Sequence, residues 1–175
     1  MNLKMLMSSE RTEGVRKVPA ADIEKWGHKN GVVFPQDFVD FFSDFGGILP
    51  DEEWGYQYIP EDENYPEFAT IGYFLHFDNN ISRHSVNEEY NDHFLTWNQP
   101  LVFPFAWSDI NVHAALNFEK SRRNPSIYNV EMFVASRTNP DRHNMTWLAD
   151  SFTEFLEILE TEDDFDVRHG EVYRF

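Results

Sequence analysis

Cysteine is absent from the 175-residue chain, which excludes disulfides, thiolate metal ligands, cysteine nucleophiles and iron–sulfur clusters held by thiolates. A reducing compartment is compatible with that absence. Long apolar runs are missing too, since no stretch approaches the roughly 20 residues that span a bilayer. Between Met1 and Ser8 the apolar stretch around Leu3, Met5, Leu6 and Met7 is too short for a signal-peptide core. The expected location is cytoplasmic. Positive charge is scarce: 14 Lys plus Arg stand against 31 Asp plus Glu, a formal net charge of −17. Such a field repels phosphate backbones and anionic membrane surfaces, so neither direct nucleic-acid binding nor membrane association is expected. The same field speeds encounter with a basic protein, an effect that salt screens over about 8 to 10 Å.

The chain is rich in rings, with 17 Phe, 5 Trp and 7 Tyr, enough apolar surface to offset the entropy lost on folding. Its length suits one core rather than two. Residues 1 to about 17 show no sustained period and read as a loosely held arm or an edge strand. A helix is expected from Pro19, with Asp22 and Glu24 at its positive end, Ile23 and Trp26 on one face, and Gly31 as a stop. A second helix is clearer. Phe38, Phe41, Phe42 and Phe45 recur at i, i+3, i+4, i+7 after Phe34-Pro35, Asp37, Asp40 and Asp44 point outward, and Gly46 supplies a left-handed stop followed by Gly47.

From Trp54 the period becomes two. Trp54, Tyr56 and Tyr58 alternate with Gly55, Gln57 and Ile59, and Ile71, Tyr73, Leu75 and Phe77 alternate with Thr70, Gly72, Phe74 and His76. A proline-bounded acidic loop, residues 60 to 67, separates these strands. A short helix is expected near Val86 to Phe94. Further strands are expected at Leu101 to Trp107, where Pro104 suggests an edge or a strand end, at Val112 to Phe118, and at Ile127 to Val134. A last helix starts at the capping box Ser151 to Glu154, with Phe152, Phe155, Leu156 and Leu159 as its stripe. An acidic run, Glu160 to Asp166, then leads to a short final strand within Val167 to Phe175. Helices grouped at the ends of a strand meander indicate an α+β single domain, a mainly antiparallel sheet packed by N-terminal helices and a C-terminal helix.

Catalytic signatures are lacking. No HExxH pair, no Gly-x-Ser-x-Gly element and no phosphate-cradling glycine loop occurs. His76-Phe77-Asp78, His84 and Asp92-His93 invite a metal reading, but a site needs further ligands in place. No catalytic residue, metal or cofactor is therefore expected, and a small metal-dependent enzyme remains the least favoured alternative.

Three segments, in this order and spacing, carry a resemblance. They are Phe34-Pro35-x-x-Phe38-x-x-Phe41-Phe42 ending in Gly46-Gly47, the strand Phe103-Pro104-Phe105-Ala106, and the helix Ser151-Phe152-x-x-Phe155-Leu156. Across about residues 20 to 160 the chain resembles the SUKH superfamily, which includes a fungal cell-wall synthesis regulator and many bacterial toxin-immunity proteins. Relatives often carry a glycine after the middle strand and an Asp ending the next, where this chain has Asn111 and Asn117; Asn substitutes at a left-handed turn. The expected organisation is an arm over residues 1–18 and a SUKH-like domain over 19–175. The resemblance implies an immunity protein that occludes a cognate basic toxin, a nuclease or deaminase. The alternative is a regulatory or scaffolding module like the fungal regulator. Oligomeric state stays open. For the partner-binding surface, the expectation falls on acids set beside rings in two loops: Asp51, Glu52, Glu53 and Trp54, and Glu61, Asp62, Glu63 and Tyr65.

Overall fold

A computed structural model describes residues 17–50, 54–60, 64–78, 80, 84–108 and 111–169. Helix α1 (Ala20–Lys29) follows Pro19 and buries Ile23 and Trp26; Gly31, at φ 78°, turns the chain after it. Helix α2 (Gln36–Phe45) buries Phe38, Val39, Phe41 and Phe42. Its end departs from expectation, because Gly46 stays at φ −58° and the left-handed residue is Gly47, at φ 80°. The cause is the next contact: the Gly47 N–H donates to the Phe74 carbonyl at 3.0 Å, which pulls the chain off the helix toward the sheet.

Strands β1 (Trp54–Tyr58), β2 (Glu67–Phe74), β3 (Val102–Ser108), β4 (Val112–Asn117), β5 (Ser126–Ala135), β6 (His143–Ala149) and β7 (Glu160–Thr161) form one antiparallel sheet in the order β6-β5-β4-β3-β2-β1-β7. Between β2 and β3 lies α3 (Val86–Glu89), which continues as a π-helical segment, Tyr90–Phe94. Helix α4 (Phe152–Ile158) opens on Ser151, whose Oγ accepts from the Glu154 N–H at 3.1 Å, and α5 (Glu162–His169) follows β7. The α+β, single-domain, antiparallel architecture is thus present.

Three local expectations are corrected, and one strand is added. Pro104 sits in β3, the middle strand rather than an edge. It is tolerated because the register with β4 shifts between Pro104 and Ala106, a bulge where pairing is already interrupted. Strand β2 runs Glu67–Phe74 and not to Phe77, and a second register shift at Gly72 breaks its alternation, so Phe74 and Leu75 are both buried. Strand β6 has no counterpart in the sequence reading. The acidic run begins in β7 and forms α5 through His169, so a strand cannot start at Val167; residues 170–175 lie outside the described ones.

Rings from the helices meet β3 to make the centre of the core. Phe38 lies 5.8 Å from Phe105 and 5.2 Å from Phe152, and Trp26 lies 5.5 Å from Phe103, all edge-on. Such pairs each add about 0.5–1.5 kcal/mol beyond area burial. The sheet curls strongly enough for strands distant in order to touch. The Tyr56 hydroxyl in β1 donates to Asn129 Oδ1 in β5 at 2.9 Å, and the Thr146 hydroxyl in β6 donates to the Ile59 carbonyl at 3.4 Å.

Candidate functional site: a protein-binding surface

Of the residues expected to contact a partner, Trp54 and Tyr65 are described, whereas Asp51, Glu52, Glu53, Glu61, Asp62 and Glu63 lie outside the described residues. Trp54 opens β1 opposite Thr161 and is buried. Tyr65 is 43% exposed, in the connection beyond the other end of β1. The described flanks of the two loops are therefore separated by the length of a strand and do not bring the two rings together.

His93 and His113 gather on one carboxylate. Glu89 of α3 has its Oε2 3.1 Å from His113 Nε2 and 3.6 Å from His93 Nε2. Burial pushes the Glu89 carboxyl up, but the His113 hydrogen bond and the neighbouring His113, His93 and His84 rings outweigh it and hold it below its usual range. Burial pushes His113 down, so a neutral imidazole donates its Nε2 proton to the carboxylate. His143 stacks on Trp97 at 4.1 Å and is 2% exposed. Burial, then His93 and His113, lower its pKa to about 4. The His93 backbone opposes this as the smallest of the causes, and neither ring nitrogen of His143 has a partner of hydrogen-bond geometry. Among the described residues no group of three or more His, Asp or Glu side chains is placed to hold a metal ion. Of the residues singled out for a metal reading, His76 instead accepts the Asp78 N–H at Nδ1, at 3.2 Å.

Two surface features suit a macromolecular partner. The first is a hollow of about 370 Å³ between α2 and α4. Phe41, Phe45 and Leu156 supply its apolar floor, and Asp40, Asp44 and Glu157 are acids at its exposed rim. Asp37 closes one end as a clasp: its Oδ2 accepts from the Thr153 N–H at 3.0 Å and the Thr153 hydroxyl at 2.7 Å. The second is the outer side of β6, where Trp147 is 51% and Ile59 48% exposed beside a hollow of about 500 Å³.

The sequence model of the SMI1 / KNR4 family (SUKH-1) matches residues 17–158. The chain belongs to the SMI1/KNR4 family. That membership supports a protein-interaction role. No curated protein and no solved structure matches the chain significantly. The matched segment of this SMI1/KNR4 protein contains α1 to α4 and β1 to β6, hence both surface features, and ends before β7 and α5. Asn111 adopts φ 61°, so the left-handed turn expected after the middle strand is present. No helix among the described residues is long and apolar enough to cross a membrane.

The sequence reading missed both surfaces for one reason. It sought acids beside rings along the chain, whereas Asp40 and Asp44 meet Leu156 and Glu157 only through tertiary packing. The i, i+4 spacing of Asp40 and Asp44 on a helix that carries four Phe was the available signal.

Proposed function

We propose that the chain is an immunity protein that neutralises a cognate basic toxin, a nuclease or deaminase, by binding and occluding it, and that it catalyses no reaction itself. The observation that carries this reading is the acid-rimmed apolar groove of α2 and α4 on an SMI1/KNR4 protein of net charge −17. An enzyme that acts on nucleic acid holds a polyanion in a cationic cleft, so a protein with this field competes for the same cleft. Apolar floor and acidic rim divide the labour: buried rings give affinity, and rim carboxylates steer and select.

The test is capture of partners by the tagged full chain from its source cells at low and high salt, followed by identification of what is bound. One dominant basic protein, weakened by salt, supports the reading. Several salt-insensitive partners favour a regulatory module instead. Paired charge reversals then locate the contact. Asp44→Lys with Glu157→Lys is expected to weaken the captured complex at least about tenfold. Glu61→Lys with Glu63→Lys tests the loop in the same way, and a folded variant of unchanged affinity removes that loop from the surface.

A further inference from the structure

We propose that the outward edge of β6 accepts an added strand, an extended cationic segment of the protein partner. The backbone parity carries this. The Arg142 carbonyl accepts from the Ser136 N–H at 2.7 Å, which directs residue 142, and with it 144 and 146, toward β5. The His143 N–H instead donates to the Gln99 side chain at 3.0 Å, away from β5. Strand residues alternate, and the register shift near residue 143 places its extra residues on β5, so Met145 and Trp147 also turn their N–H and C=O groups outward. Gln99 occupies the first outward position. β6 ends the sheet among the described residues, which leaves the next two without a strand neighbour.

The surroundings fit a strand. The 500 Å³ hollow runs along this edge from Ser136 and Asn139 at the hairpin past Met145 to Trp147, and Ile59, whose carbonyl accepts from the Thr146 hydroxyl at 3.4 Å, bounds it on one side. Proteins usually blunt a free edge with Lys, Pro or inward charges. His143–Ala149 contains none of the charged residues Lys, Arg, Asp or Glu, and no Pro. The one cation in the lining, Arg142, is held by Glu119 at 2.5 Å.

Charge selects the occupant. A second copy would bring another −17 to the same edge, so self-addition is disfavoured. A cationic segment meets the half-exposed Trp147 indole, whose Nε1–H is anchored to Asp150 at 3.1 Å and whose face attracts Lys or Arg. Backbone pairing supplies affinity and alternate side chains supply choice, as in strand addition generally.

The inference rests on the reading of a basic protein partner, and the experiment separates the two. The full chain is titrated with a ten-residue alternating Lys–Val peptide while amide hydrogen exchange is followed by NMR. The same peptide with alternate amides N-methylated keeps its charge and loses its pairing donors, and a Glu–Val peptide reverses the charge. The expected result is slowing of Met145 and Trp147 exchange by at least about tenfold at saturation, with binding weakened at least about tenfold by N-methylation and abolished by charge reversal. Equal binding of the methylated peptide, or no protection at these two amides, overturns the proposal as bulk electrostatic association. So does protection already present in the dilute free protein, which means that this chain or a second copy fills the edge. The exchange readout is then repeated with any captured basic partner. A partner that binds and leaves both amides fast sinks the edge proposal with the immunity reading intact. Failure to capture any basic protein sinks that reading, and the occupant of the edge with it.

Discussion

The helix-facing core and the β5–β6 end of the sheet are built on opposite terms. In the first, α1, α2 and α4 bring rings onto Phe103 and Phe105 of β3, and Phe38, Phe42, Phe105 and Phe152 are all but inaccessible. In the second, Phe133 is 68% exposed at φ 67°, Trp147 is half exposed, and buried nitrogens of His143, Asn129 and Arg142 lack partners. An unsatisfied buried polar atom costs about 1–3 kcal/mol, and rings left half or more exposed stabilise the free protein far less than buried ones. Stability is concentrated in one region and unspent surface in the other, the arrangement expected when a rigid scaffold presents a binding face.

The contrast breaks first at Phe38. Phe38→Ala is expected to lower unfolding free energy by about 4 kcal/mol, whereas Trp147→Ala stays within about 1 kcal/mol, by chemical denaturation. Comparable losses at both positions contradict the division. Gly55→Ala follows at roughly 3 kcal/mol, because an added Cβ sits 2.2 Å from the Ala69 carbonyl oxygen, and backbone there must move.

His143 sharpens the comparison through pH. Above about pH 6.5 its ring is neutral both folded and unfolded, and its contribution is complete. As pH falls from 6.5 toward 4, the unfolded chain takes up a proton that the folded one refuses, so stability is lost across that window, by up to about 3 kcal/mol. Glu89, held low when folded, loses its contribution in the same direction at still lower pH. His143→Phe keeps the stack on Trp97 and has no nitrogen to protonate; its melting temperature should fall less than that of the unaltered protein between about pH 7 and pH 5. Parallel decline in both proteins assigns the pH dependence elsewhere. A smaller loss than at Phe38 or Gly55 is expected at Tyr56→Phe, about 1–2 kcal/mol by chemical denaturation, from the Asn129 side-chain oxygen left without its donor.

What could be read from the sequence follows the same divide. The Phe38, Phe41, Phe42 stripe and the Ser151 cap are local patterns, repeated every three or four residues, and they locate α2 and α4 correctly. Strand β6 defeats that approach because His-Asn-Met-Thr-Trp-Leu-Ala has no clean alternation: Met145 and Trp147 are only partly covered, and Leu148 is an extra residue in a register shift. Pro104 misleads because its bulge is visible only against β4. The candidate surfaces were hidden for a related reason: groove and edge join residues far apart in the chain, whereas the acid-and-ring loops were chosen by adjacency.

The central claim is that this face engages a basic protein, and the most direct measurement is the affinity of the full chain for its captured partner at about 50 and about 500 mM salt. The account predicts a single basic partner whose binding weakens at least about tenfold at the higher salt, mainly through slower association. A dominant partner that is acidic, or an affinity unchanged by salt, contradicts it.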